Sequence, residues 1–371
     1  MIYELNEKQV EARKLTIDFI NSYVMQNVDR IEREGVINKQ DIEKLQMSGV
    51  WDLVLADSVD WETKVTVLNE LAKESPSVAG MFSDLILSQS ILADCNIAEA
   101  EFYATAFVEE NAGSDLTQIQ TEAIKENEQW SISGEKWFVM NGNLAESILV
   151  LAKSSDETFH IFKVSKETSG LIIHDQKIMG LEGLTFSRVI FNNIKVQEES
   201  LLYTFNHTLT PIKRAETFLK LAVTALAIGI SEAALVESIN RARTREQFGN
   251  SIGEYQAIQY KIAETTVGIN AAKTLLYDAA QKLDRSEPAQ TEAAMAKVYS
   301  SEVARKAVNH AVQVFGAHGL LSDSKVSLLY RSQRLTEIIG QTSEIQRIQI
   351  AEFVINTIGV NKEDANYGLS I

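Results

Sequence analysis

The chain reads as a mainly α-helical protein with a β domain in its middle, in the order helices, strands, helices. Three observations carry that reading. Apolar residues recur at three- and four-residue steps toward both ends of the sequence. Short apolar runs punctuated by Gly, Asn, Ser and Asp fill the centre. Only three prolines, Pro76, Pro211 and Pro288, interrupt 371 residues.

From Asn6 to about Ile97 the steps run Val10, Leu15, Phe19, Ile20 and Val24, then Ile42, Leu45 and Met47, which predicts helices. Between about Tyr103 and Asn206 the runs Trp130–Ser133, Ser147–Ala152, Phe159–Val164, Leu171–Ile173 and Arg188–Phe191 predict strands. The helical period returns after Tyr203, with Thr210 expected as an N-cap, Pro211 at the first helical position and Pro288 opening a further segment. The rows Leu219, Ala222, Leu226 and Gly229, then Ala293, Ala296 and Val303, carry small residues that let helices of a bundle approach closely. The expected divisions are residues 1–102 (helical), 103–207 (β) and 208–371 (helical bundle), with no low-complexity linker between them.

Composition bounds the function. Asp and Glu number 51 against 35 Lys and Arg, and the net charge of −16 opposes nucleic acid and anionic membrane surfaces. Cys95 stands alone, so no intramolecular disulfide or thiolate metal site is expected and a reducing compartment fits. The start, MIYELNEKQVEARK, lacks the basic-then-apolar pattern of a signal peptide, and the apolar stretch Leu219–Ile230 is about half a membrane span. A cytoplasmic protein without membrane insertion is the expectation. His160, His174, His207, His310 and His318 are scattered, so no metal is expected and each reads as a surface or hydrogen-bonded histidine. No Gly-x-Gly-x-x-Gly follows a strand, and no phosphate-binding Gly-Lys-Ser/Thr loop or His-Glu-x-x-His occurs.

One series of segments does carry chemistry. Glu109-Glu110-Asn111-Ala112-Gly113-Ser114-Asp115 is followed by Gly134-Glu135-Lys136-Trp137-Phe138-Val139-Met140-Asn141-Gly142, then by Met179-Gly180-Leu181-Glu182-Gly183. Later come Arg243-Thr244-Arg245-Glu246-Gln247-Phe248-Gly249, Gln313-Val314-Phe315-Gly316-Ala317-His318-Gly319 and Gln341-Thr342-Ser343-Glu344. In this order they resemble the acyl-CoA dehydrogenase family, from about Glu109 to Phe353 by motif and before that by pattern alone. The resemblance implies an N-terminal helical domain, a β-barrel-like middle domain and a C-terminal four-helix bundle. It also implies FAD between the last two, reaching into a neighbouring subunit of a homodimer or homotetramer. Arg245 would give a positive fork to the FAD diphosphate, Gln247 a polar contact and Phe248 an apolar wall. Gln313, Gly316 and Ala317 match the segment that holds the adenosine half from the partner subunit, and Thr342 and Glu344 the loop on the adenine and ribose side. Phe107, Val108, Ser114, Phe138 and Met140 match the flavin-ring side. Val108 and Met140 stand where the family usually has Thr, and neither can donate a hydrogen bond. Ser114 keeps the hydroxyl that lies near the acyl thioester.

The resemblance fails at the base. Dehydrogenating an acyl thioester needs a carboxylate to take the α-proton while the β-hydrogen leaves as hydride. The two stations from which the family supplies it hold Gly340 and Leu219 here, with Lys220 where an Arg is common. The catalytic residue is therefore open. Glu216 lies one helical turn before Leu219 and is the candidate substitute; Glu337 and Glu344 read as structural or solvated. Gly340 is expected to leave room for a bulkier substrate, water or oxygen. The missing Gly-Gly loop around Leu55–Trp61 and the short stretch from Ile91 to Phe107 fall at the substrate mouth. They point to a substrate other than free fatty acyl-CoA, with an acyl group tethered to an acyl-carrier protein as the alternative to an acyl-CoA. Three functions stay open: an acyl-thioester oxidoreductase of specialised biosynthetic type with a relocated base, a flavin-dependent monooxygenase on the same scaffold, and a non-catalytic subunit of a hetero-oligomer.

Overall fold

A computed structural model describes residues 5–95, 97, 102–206 and 209–357. His207 and the 207/208 division lie outside the described residues.

Capping residues start the N-terminal helices. Asn6 closes a capping box with Gln9 at α1 (Glu7–Phe19), and Asn38 does the same with Asp41 at α3 (Lys39–Met47). A π-helical turn, Ile20–Val24, joins α1 to α2 (Met25–Glu32), and α4 (Val50–Leu55) follows α3. Asp60 caps α5 (Trp61–Glu74), and Ser75 caps α6 (Pro76–Asp94) with Pro76 in its first turn. Helix α6 is buried along nearly its whole length, with serines and Asp84 among the buried apolar residues.

The central region forms one eight-stranded sheet. Its strands are β1 (Tyr103–Ala106), β2 (Glu122–Glu126), β3 (Gln129–Met140), β4 (Ser147–Lys153), β5 (Phe159–Ser165), β6 (Leu171–Gln176), β7 (Phe186–Gln197) and β8 (Leu201–Phe205). Their order is β6-β7-β3-β2-β4-β5-β8, with β1 added parallel to β4. The long strand β3 is bulged against β7 between Lys136 and Val139, so Trp137 and Phe138 leave the regular alternation.

Helix α7 (Thr210–Thr244) is the axis of the C-terminal region, packed against α5, α6, α8 (Gln256–Asp284), α9 (Gln290–Phe315) and α10 (Lys325–Thr336). A two-stranded turn, β9 (Glu246–Gln247) and β10 (Asn250–Ser251), follows α7, and α11 (Ser343–Thr357) packs on α9. By length and hydropathy α7 could cross a membrane, but 83% of its apolar window is buried within the fold. Two local expectations are corrected. Leu209, in left-handed conformation at φ 53°, precedes the first turn of α7, so Thr210 is already helical and is not the cap. Pro288 stands before α9 rather than in it, because Ala289 is the residue preceding Gln290.

Two glycines set how the segments meet. A Cβ on Gly229 would lie 2.7 Å from the Asn69 carbonyl, so this small residue of α7 serves the crossing with α5 rather than a contact inside the bundle. Gly180 has φ 82° and a Cβ there would overlap the Arg331 backbone. Its loop also binds Ser332 Oγ through Leu181 N–H (3.1 Å), Ser77 Oγ through Gly183 N–H (3.1 Å) and Arg331 through Glu182 (2.6 Å). The Met179–Gly183 motif therefore joins all three segments of the chain.

Candidate active site

A cavity of about 270 Å³ opens where α6, the β1 exit, the β3 bulge, α7 and the segment before α11 converge. The β wall carries Phe107, Val108, Trp137, Phe138 and Met140, and Ser114 lies nearby on the loop after β1. A buried ion pair holds this wall. Lys136 Nζ, fully buried, donates to Glu109 Oε1 (2.8 Å) and to the Phe107 carbonyl (3.1 Å). Glu109 also accepts from Gln120 N–H (2.7 Å) and from Thr121 N–H (2.9 Å). Trp137 N–H donates to the Val108 carbonyl (2.9 Å), so the β1 exit is pinned along the bulge. Phe138 itself has φ 55°, an uncommon conformation for a bulky residue, and its N–H donates to Gln176 Oε1 (3.1 Å).

The α7 wall presents Ile212, Glu216 and Leu219, spaced for one helix face, beside Gly340, Gln341 and Thr342. The two stations at which the base was expected touch each other. A Cβ on Gly340 would come within 3.2 Å of Leu219 Cγ, and Gly340 has φ 67°. The expected room at Gly340 is thus corrected: the Leu219 side chain fills the space in that direction.

Glu216 is 8% exposed, and desolvation raises its pKa, partly offset by the Lys220 charge and a hydrogen bond from Gln341. A directional chain of hydrogen bonds ends on it. Lys220 Nζ donates to Gln349 Oε1 (3.0 Å), Gln349 Nε2 to Gln341 Oε1 (2.7 Å), and Gln341 Nε2 to Glu216 Oε2 (2.8 Å). Every donor in that chain points toward the carboxylate, which favours its anionic form. Gln341, at φ 71°, follows Gly340 in the same left-handed region. Its carbonyl accepts from fully buried Lys297 Nζ (2.7 Å), and Gln346 Nε2 donates to the Gly340 carbonyl (3.1 Å). Burial, with Lys220 as a like charge, lowers the Lys297 pKa to about 7. Glu337 is tied up by Gln333, Arg305 and Arg334, and Glu344 is exposed, so neither serves the cavity.

Other predicted residues gather elsewhere. Arg245, Gln247 and Phe248 lie on the turn after α7, and Gln313, Gly316 and Ala317 at the end of α9; none lines the cavity. Ala242, Ile252 and Val314 pack together, which sets these two groups side by side. Phe248 is 93% exposed at φ 54°, and among the described residues Arg245 forms no ion pair. His160 is bonded to Thr204 Oγ1 (3.0 Å) and His310 to Thr265 Oγ1 (3.1 Å).

Sequence reasoning missed Asp84, Thr105 and Trp137 in the cavity wall, and Lys297 behind it. Asp84 and Lys297 had a signal: each is a lone charge in a run that is otherwise apolar or small, Val78–Leu87 and Ala293–Val298.

Known proteins resemble the chain over nearly its whole length. The profile "Acyl-CoA dehydrogenase, middle domain" matches residues 104–194, and "Acyl-CoA dehydrogenase, C-terminal domain" matches residues 213–355. The 3-(aryl)acrylate reductase of Clostridium sporogenes is 30% identical over 93% of this chain and 98% of that protein. The caffeyl-CoA reductase-Etf complex subunit CarC of Acetobacterium woodii is 28% identical over 94% and 99%. The structure of butyryl-CoA dehydrogenase from Megasphaera elsdenii aligns with a TM-score of 0.90 at 26% identity, covering 96% of this chain and all of that one.

Proposed function

The chain belongs to the acyl-CoA dehydrogenase family of flavoprotein oxidoreductases, and we propose that it uses FAD to oxidise or reduce the Cα–Cβ bond of an acyl thioester, with Glu216 as its proton-transfer group. The observation that carries this reading is the position of Glu216. Its buried carboxyl lines the cavity one helical turn from Leu219 and directly bonded to Gln341, next to the empty station at Gly340.

The residues fit the cofactor. Arg245 offers an exposed guanidinium without an ion pair among the described residues, suited to a diphosphate. Gly249 and Gly316 have positive φ and open space where a Cβ would be, which leaves backbone accessible. Phe138 and Met140 supply flat and polarizable apolar surface. Gln247, Phe248, Gln313, Ala317, Thr342 and Glu344 complete the proposed cofactor set, and Phe107, Val108 and Ser114 border its ring. Because the Arg245 and Gln313 groups lie away from this chain's cavity, we infer a homodimer or homotetramer in which they reach the cofactor of a neighbour.

Held by the Arg245 and Gln313 groups, FAD would supply the hydride chemistry at the β-carbon. The protein does the rest. Ser114 and Gly340 border the thioester, the apolar walls exclude water, and Glu216 takes the α-proton in oxidation or returns it in reduction. Burial holds Glu216 above the usual carboxylate range, which brings its basicity nearer that of the carbon acid it must deprotonate. The proposed thioester carrier is CoA or an acyl-carrier protein.

Proton transfer can be read apart from redox chemistry. With an acyl thioester that cannot be oxidised, held in D2O, the wild type is expected to exchange the α-proton for deuterium. Glu216→Gln should slow that exchange by roughly 10²–10⁴-fold. Equal exchange in both proteins would remove Glu216 from the role.

A further inference from the structure

A second carboxyl group lines the same cavity. Asp84, on α6, is 5% exposed and shares its stretch of wall with Leu87, one turn further on. Its carboxyl accepts from Thr105 N–H (3.1 Å) and from Thr105 Oγ1, and both bonds run to β1. A carboxylate has about four acceptor positions, so half its capacity faces elsewhere. Among the described residues no Lys, Arg or His pairs with it. Desolvation accordingly pushes it up to about 7.

That isolation separates Asp84 from most buried acids of this chain. Asp41 is held by Arg30, Glu70 by Arg13 and Lys73, and Glu337 by Arg305 and Arg334. Glu32 and Glu216 also lack an ion pair, but three donors from Ser75 and Ser77 bind Glu32, which lies outside this cavity, and the Lys220 charge and the Gln341 amide support Glu216. Fastening α6 to β1 does not need a charge. An amide would accept the same Thr105 N–H bond without the desolvation cost of an anion. A buried carboxyl without a cationic partner is pushed toward its neutral form, and a cation entering the cavity would stabilise its charged form.

We propose that Asp84 is a specificity-determining residue that receives a protonated amine on the acyl group of the substrate. The apolar lining around it takes the carbon chain, and the ammonium donates to the oxygen positions that Thr105 leaves open. This rests on the reading of the cavity as an acyl-thioester site, but not on Glu216 as the base.

The test compares matched CoA thioesters whose chains end in an amine or in a methyl group, 4-aminobutyryl against valeryl and 5-aminopentanoyl against hexanoyl. Wild-type holoprotein is expected to favour one amine-bearing member over its isostere by about 100-fold, and Asp84→Asn to abolish that preference while keeping the isostere within about threefold. Calorimetric titration reads the same preference without turnover, so a protein that fails as an oxidoreductase still answers. Equal binding of amine and isostere by the wild type overturns the proposal without any variant. A preference that survives in Asp84→Asn overturns the assignment to this residue.

Discussion

At the residue scale the proposed chemistry turns on one carboxylate, Glu216, and what surrounds it. Burial raises the Glu216 pKa, while Gln341 and Lys220 pull it back. Removing a bond to the charged form lets the pKa rise. In Gln341→Asn, which tolerates the left-handed backbone but is one methylene shorter, the acid limb of the kcat/KM profile should move to higher pH with a smaller loss of rate than Glu216→Gln. An unmoved limb would deny Gln341 its positioning role. Lys297 allows a second test. Its pKa in the folded protein, about 7, lies below its ordinary value. The neutral lysine is therefore the form compatible with folding, and its contribution is complete above the ordinary lysine pKa and lost as pH falls toward 7. Between pH 7 and 10 the thermal midpoint of the wild type should rise relative to that of Lys297→Met, whose difference curve should be flat if Lys297 is not buried. Glu216 was legible in the sequence only through its spacing from Leu219. Gln341 stood in the sequence only as the first residue of a late motif, because sequence order does not tell that an amide from a late loop will reach a carboxylate on α7.

At the element scale the β3 bulge and the Met179–Gly183 loop position the walls. The Glu109–Lys136 pair ties the β1 exit to the bulge, and breaking such a buried pair costs about 3–5 kcal/mol. Glu109→Gln is expected to lower stability on that scale in chemical denaturation and to loosen cofactor retention, since Phe107 and Phe138 share the support. Gly180→Ala should cost about 2–3 kcal/mol, because the added methyl meets the Arg331 backbone and the residue must hold φ 82°. A wild-type denaturation midpoint for either variant would contradict these roles. Strand and helix regions were legible from period alone. The bulge was not: register against β7 decides it, and the single sequence shows only an unbroken run from Gly134 to Met140. Nor was the destination of Gly229 legible, since a small residue marks close approach without naming the partner helix.

At the scale of the whole molecule, the cavity and the Arg245–Gln313 surface lie apart on one chain, and the proposed homo-oligomer would bring the two together. Light scattering of the purified protein is expected to give a dimer or tetramer mass. A monomer that keeps a full complement of flavin would contradict it. The order of segments was plain in the sequence, as was the family, because its motifs are local. The electrostatics of the cavity were hidden, because they arise where α6, α7 and the Gly340–Thr342 segment converge from three distant parts of the chain. The central claim is that this cavity joins a flavin to an acyl thioester through Glu216. The direct test is the visible spectrum of the purified protein under anaerobic conditions, before and after adding a panel of saturated acyl thioesters. The account predicts a flavin band that bleaches with at least one of them in the wild type and persists in Glu216→Gln. A protein that stays colourless after incubation with FAD, or a Glu216→Gln variant that bleaches as fast as the wild type, would contradict it.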